Sequence, residues 1–137
     1  MPIVYVDSSA LIKRVVVEEE STGLLEFLDE HYQQGDLLVT SSLGRTEIAR
    51  VVLRYASTPI VATDLLDEAM SGIDERPITA DVLSLGRRIT PPVLRTLDAI
   101  HLASALILDA DVVVTYDDRL ADACRGNSLA VAMPGRD

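Results

Sequence analysis

Four carboxylates stand where ordinary surface acids do not: Asp7, Glu47, Asp98 and Asp117. Asp7 ends the apolar run Ile3-Val4-Tyr5-Val6 and directly precedes a helical pattern. Asp117 repeats that design after Val112-Val113-Val114-Thr115-Tyr116. In an open α/β sheet, ligands bind beyond the carboxyl ends of the strands, so two parallel strands would deliver both acids to one edge. Glu47 is spaced by four from Leu43 and from Val51, which puts it in the apolar stripe of its helix. Asp98 heads the most apolar helical stretch of the chain, Thr96 to Leu106.

Each acid also has an ordinary account. Asp is a leading helix N-cap, and strand-to-helix junctions commonly use one, which covers Asp7 and Asp117. Glu47 has Arg50 three residues on, although Arg50 and Arg54 point largely to the outer face. Thr96 is a candidate cap, and Asp98 in the first turn suits the helix dipole. Taken together, the four suggest different chemistry. Carboxylates gathered in one cleft raise one another's pKa unless a cation neutralises them. Hard oxygen ligands select Mg2+ or Mn2+, and a site with one or two such ions activates water for in-line attack on a phosphodiester.

Other chemistries lack their residues. The chain has no G-x-G-x-x-G, no G-x-x-x-x-G-K-[ST] and no G-x-S-x-G. An aspartyl-nucleophile phosphatase would want a second acid two residues after Asp7, where Ser9 stands. His101 reads as a hydrogen-bonded packing residue, and Cys124 as a small buried one. A single cysteine excludes an intramolecular disulfide framework and a Cys-based zinc site, and fits a reducing cytosol.

The elements that must position these residues follow from the pattern. Strands are expected at Ile3–Val6, Leu37–Thr40, Asp111–Thr115 and Leu129–Ala132, with at most a short edge strand near Ile78. Helices are expected from Ser8 or Ser9 to about Val17, from a Ser21 cap to Gly35, and from Ser42 to Ala56. Further helices are expected from Pro59 to Met70, Ala80 to Ile89, Leu97 to Leu108 and Asp117 to about Arg125. Strands alternating with helices predict one three-layer α/β/α domain, residues 1–137, with a mainly parallel sheet. At 137 residues and 48% hydrophobic content the chain builds its own core. Only 4% of it is aromatic, which disfavours a base-stacking platform. The net charge of −10 argues against nonspecific phosphate binding by a basic surface. With no signal peptide and no apolar run near the ~20 residues of a membrane span, a cytoplasmic, membrane-free protein is expected.

At these residues the chain resembles the PIN-domain nucleases, specifically the VapC-type toxins of bacterial toxin–antitoxin pairs. The matching pieces are Tyr5-Val6-Asp7-Ser8-Ser9-Ala10, Thr46-Glu47-Ile48-Ala49-Arg50, Leu97-Asp98-Ala99-Ile100-His101-Leu102-Ala103 and Val114-Thr115-Tyr116-Asp117-Asp118-Arg119-Leu120. They occur in the family's order and span nearly the whole chain. The resemblance implies that Asp7, Glu47, Asp98 and Asp117 form the catalytic acidic site of a Mg2+-dependent endoribonuclease, with Mn2+ as an alternative ion. Asp7 and Asp98 would be the main metal ligands, and Glu47 and Asp117 would complete the cluster directly or through water. Thr115 corresponds to a hydroxyl beside the site, Ser8 is a candidate to orient Asp7, and the register favours Asp117 over Asp118.

The resemblance further implies RNA hydrolysis leaving 5′-phosphate and 3′-hydroxyl ends, with transfer or ribosomal RNA as target. It implies a homodimer and a VapB-type antitoxin whose basic segment enters the cleft. Leu43, Val51, Val52, Tyr55, Ile60 and Val61 are candidate apolar surface for either contact. Arg14, Arg45, Arg50 and Arg95 are candidates to touch phosphate, each with surface ion pairing as its ordinary alternative. The competing reading is a noncatalytic PIN-like module that only binds an antitoxin and regulates transcription with it. Lost acids would mark that reading, and here they are present.

Overall fold

In a computed structural model, which describes residues 1–136, five strands form one sheet. They are β1 (Ile3–Val6), β2 (Leu37–Ser41), β3 (Asp74–Arg76), β4 (Val112–Val114) and β5 (Ala130–Ala132). Their order is β3-β2-β1-β4-β5 and every pairing is parallel. The expected "mainly parallel" sheet is therefore wholly parallel among the described residues. Its order reverses at β1, whose two neighbours β2 and β4 lead to opposite edges. That is the switch point at which such sheets open a crevice.

Strand pleating divides the core into two. Val4 and Val6 face a cluster with Leu24, Leu28, Ile48 and Val52, whereas Tyr5 faces Val39, Leu102, Val113 and Leu120. The helices α2 (Ser21–Gln33), α3 (Ser42–Tyr55) and α4 (Pro59–Met70) cover the first face. The second is covered by α6 (Thr96–Ile107) and α7 (Asp118–Gly126), with α5 (Ala80–Gly86) packed on α6. A one-turn helix, α1 (Ser8–Leu11), follows β1.

Several local expectations change under tertiary control. The helix expected to run to Val17 ends at Leu11, followed by a 3-10 turn over Ile12–Arg14. Lys13 is buried there with its ammonium on Glu18 (3.1 Å) and Glu20 (3.3 Å), which curls the chain back on itself. The β-branched Val15, Val16 and Val17 add little helix propensity to resist this. Ser21 does not cap α2. Its hydroxyl donates to the Lys13 carbonyl and accepts from the Glu18 amide, both at 2.9 Å, and Glu20 holds the cap position without a side-chain bond.

The edge strand lies at Asp74–Arg76 rather than near Ile78, paired to β2 beside Pro77. Its charged residues suit an unpaired edge. The helix expected to reach Ile89 ends at Gly86, and Asp111 and Thr115 flank β4 instead of belonging to it. Of the candidate apolar surface, Tyr55 is exposed, whereas Val52 is buried and offers none. α6 is buried along most of its length, though Leu97 and Ile107 are exposed. No helix of the described residues is long and apolar enough to cross a membrane.

Candidate active site

The carboxyl ends of β1 and β4 meet at Asp7. Its backbone amide donates to the Val114 carbonyl at 3.1 Å, so the end of β1 is locked to the end of β4. The Asp7 side chain is only 3% exposed and accepts three hydrogen bonds. Ser9 Oγ (2.6 Å) and the Ala10 amide (3.1 Å) donate to Oδ1, and Thr115 Oγ1 (2.7 Å) donates to Oδ2. The capping expected of Asp7 is therefore real, through Ala10. Ser9, not Ser8, orients it. Ser9 Oγ also accepts from the Tyr116 amide (3.0 Å), and Thr115 Oγ1 from the Asp117 amide (3.1 Å). Two hydroxyls thus fix one buried carboxylate against the chain that carries Asp117. Ser9 sits two residues after Asp7, a spacing at which a hydroxyl reaches back to its neighbour, and that was the available signal.

Asp117 divides its work between its two oxygens. Oδ1 caps α7, accepting from Arg119 (2.9 Å) and Leu120 (3.2 Å) amides. Oδ2 faces Arg95 Nη2 at 3.6 Å. Asp118, the alternative in the sequence, has a side chain that is 81% exposed and lies outside the cleft. Asp98 Oδ2 is buried without a hydrogen bond and makes an ion contact to Arg95 Nε at 3.5 Å. Arg95, 64% exposed, therefore spans Asp98 and Asp117 with one guanidinium. It also holds the N-cap position of α6 without a side-chain bond, so Thr96 is not the cap.

Glu47 does not pair with Arg50. Its Oε1 accepts from Ser8 Oγ (3.0 Å) and contacts His101 Nε2 (2.5 Å). The carboxylate requires a donor at Nε2, and the other ring nitrogen meets the Tyr5 hydroxyl at 2.7 Å. Tyr5 donates in turn to Ser41 Oγ (3.1 Å), the cap of α3. The packing role expected for His101 holds, with a consequence the sequence hid: this buried ring ties Glu47 to the interior of the second core.

Electrostatics follow from burial. Desolvation raises the Asp7 pKa above the ordinary carboxylate value, against the opposing charge of His101 and the hydrogen bonds from Ser9 and Thr115. Asp98 is raised too, first by burial and then by the neighbouring Asp117, against Arg95. For His101, burial works to lower the pKa, but the Glu47 hydrogen bond and the charges of Asp7, Glu47 and Asp98 together carry it upward. A desolvated acid group with mutual repulsion and an orphaned carboxylate oxygen is a place where a cation would be stabilised.

Asp7, Glu47, Asp98 and Asp117 all line one cleft of about 320 Å3, with Ser8, Ser9, Arg95 and His101. All four acids singled out in the sequence converge there. No three His, Cys, Asp or Glu side chains among the described residues stand close enough to grip an ion unaided. Mg2+ is usually held by one or two carboxylates and keeps several waters, so this oxygen-only set fits it. Of the candidate phosphate contacts, only Arg95 reaches the cleft. Arg14 donates to the Ala69 and Ser71 carbonyls, both at 2.8 Å, which ties down the end of α4, and Arg45 pairs with Glu75. Arg50 is exposed on α3.

The crevice at the switch point of this parallel sheet is lined by acids, and comparison with known proteins identifies the family. The PIN domain family profile matches residues 4–126, and the chain belongs to that family. It is 40% identical over 135 residues to Ribonuclease VapC47 of Mycobacterium tuberculosis (strain CDC 1551 / Oshkosh), covering 97% of this chain and 98% of that protein. Identity to Ribonuclease VapC46 of strain H37Rv is 37%, over 98% and 99% of the two chains. The fold is also that of a chain in the crystal structure of VapBC2 from Rickettsia felis bound to a promoter DNA fragment. There the TM-score is 0.76 at 12% identity, with 95% of this chain and 97% of that one covered.

Proposed function

We propose that this protein is the ribonuclease toxin of a VapBC-type toxin–antitoxin pair, an endoribonuclease that depends on Mg2+ or Mn2+. The observation that carries the reading is the convergence of Asp7, Glu47, Asp98 and Asp117 on one cleft at the sheet's switch point. The full-length similarity to proteins named Ribonuclease VapC supports it.

Asp7 and Asp98 would hold the metal, and Glu47 and Asp117 would complete the cluster directly or through water. When bound, the ion supplies Lewis-acid charge to the phosphoryl oxygens and an activated water for in-line hydrolysis. The protein's own residues do the rest. Ser9, Ala10 and Thr115 hold the Asp7 carboxyl immobile, and their hydrogen bonds oppose the upward pull that burial exerts on its pKa. His101 holds Glu47 at the cleft wall from behind. Arg95 neutralises Asp98 and Asp117 in the resting site and is placed to accept a substrate phosphate instead.

Structured RNA, transfer or ribosomal, is the proposed substrate, with a VapB-type antitoxin as inhibitor in the cytoplasm. Leu53, Tyr55, Ile60 and Val61 form exposed apolar surface on α3 and α4, which suits a homodimer contact or an antitoxin helix. The test is to incubate purified protein with transfer RNA and Mg2+, and to repeat with Asp7→Asn and with EDTA. Mg2+-dependent cleavage abolished by the substitution is expected. No cleavage, or cleavage insensitive to both treatments, refutes the reading. Mapping 5′ ends of cellular RNA after expression then identifies the target.

A further inference from the structure

Beside the acidic cleft lies a second, larger cavity of about 570 Å3, between α5, the loop 87–95 and the start of α6. Thr96 lines both, so the two adjoin at the N-terminus of α6. The aliphatic side chains of Leu83, Ile89, Leu94 and Ile100 supply its apolar surface, and Arg87 and Arg88 its charge. No acid lines it. Neither guanidinium has a carboxylate partner among the described residues; Arg88 makes only a 3.5 Å contact to the Ser84 carbonyl.

Acids outnumber bases 22 to 12, and Arg95, the arginine that lines the cleft, is matched there by Asp98 and Asp117. The cavity on the other side of the same loop holds Arg119, but Asp122 lines it too. An arginine at a helix C-terminus complements the dipole, which gives one cation an ordinary reason. It does not explain two cations without carboxylate partners on an acid-free cavity that adjoins an acid cleft. A polyanion crossing to a metal site needs positive charge on its approach, since the remaining surface repels it.

Resting on the ribonuclease reading, we propose that this cavity is the subsite for single-stranded RNA next to the scissile phosphate. Backbone phosphates lie against Arg87 and Arg88, a base packs on the aliphatic wall, and the strand continues past Thr96 and Arg95 into the cleft. The volume is in the range of sites that enclose a small ligand. With no aromatic ring on the wall the base is held by packing rather than stacking, so base preference at this subsite is slight.

The probe is a fluorescently labelled single-stranded RNA oligonucleotide, read by anisotropy at low salt in EDTA, where cleavage does not occur. The wild type, Arg87→Gln/Arg88→Gln and Arg87→Lys/Arg88→Lys are compared across salt concentration. Both side chains are exposed, so folding is checked by thermal midpoint. Loss of two phosphate contacts predicts affinity lower by about tenfold and a log–log salt slope shallower by about 1.4, near 0.7 per contact on a single strand. The lysine pair retains most of the slope. With Mg2+, the glutamine pair is expected to raise KM for RNA while kcat changes little.

No binding by the wild type, or equal binding and slope in all three proteins, overturns the proposal. A change in oligomeric state by sedimentation in place of a change in RNA affinity also overturns it, and assigns the cavity to contact between copies. Failure of the ribonuclease reading is distinguishable, because it appears as absent Mg2+-dependent cleavage whatever the anisotropy shows.

Discussion

Substituting Asp98→Asn separates the stability of the resting site from its function. Asp98 sits 13% exposed, with Oδ2 buried and without a hydrogen bond, and its pKa is raised first by burial and then by Asp117. The Asp98 and Asp117 carboxylates flank one guanidinium, and across it they repel each other by on the order of 1–2 kcal/mol at an effective dielectric near 20–40. Neutralising one removes that repulsion and the cost of burying its charge. It also removes the ion contact to Arg95, worth about 0.2–1 kcal/mol because that side chain is mostly in water. The expected balance in EDTA is a gain of about 1 kcal/mol, or a midpoint higher by roughly 3–5 °C for a chain of this size.

Saturating Mg2+ reverses the order. A wild type that binds the ion gains about 2.7 kcal/mol at one hundred times its Kd, and the variant gains little. Differential scanning fluorimetry in EDTA and across a Mg2+ series should therefore show the two midpoints crossing. The pH dependence has a definite sign. With a folded pKa above the unfolded one, the wild type recovers its deficit as pH falls through that folded value, so the EDTA gap closes in acid. A variant less stable than wild type in EDTA at neutral pH, or one that gains as much from Mg2+, would refute the charge argument.

Other outcomes follow from single contacts. Ser9→Ala removes the donor to Asp7 Oδ1 and the acceptor for the Tyr116 amide. It should cost about 1–3 kcal/mol and most of the activity, whereas Ser8→Ala, which loses only its Glu47 contact, should cost clearly less in chemical denaturation. Gly44→Ala would ordinarily favour a helix by up to ~1 kcal/mol. A Cβ there would collide with Thr40 Oγ1, so a loss of about 1–3 kcal/mol is expected, and a Thr40→Ala background should restore the gain. Burial pushes the Cys124 thiol up to about 12, while an unfolded thiol titrates near 8.5. The native state then keeps a proton that the unfolded chain sheds. Its stability should fall with a slope of about 1.4 kcal/mol per pH unit above pH 8.5 or so, and Cys124→Ala should flatten that limb in urea melts.

The local sequence determined most of the element order because its signals are local. β-branched runs, cap residues, Pro59 and the glycine at position 35 act within a few residues of themselves. The four site acids were legible for the same reason: each breaks an apolar pattern, and an acid in such a place asks for a partner. Which partner was not legible. Glu47 has Arg50 one turn away along the chain, but 54 residues separate it from His101, which it meets across the sheet edge.

Ser9 rather than Ser8 orients Asp7 because the chain turns at the end of β1 against β4, and that turn depends on the fold to bring Thr115, 108 positions further on, to the other carboxylate oxygen. Likewise Lys13 is an ordinary surface residue by composition, yet its pairing with Glu18 and Glu20 ends the first helix early. Types, periods and caps are properties of short segments and can be read in order. Burial, pairing and the sharing of one cleft by residues 7, 47, 98 and 117 depend on strands that are distant in sequence and adjacent in the sheet, and only the packed structure sets them.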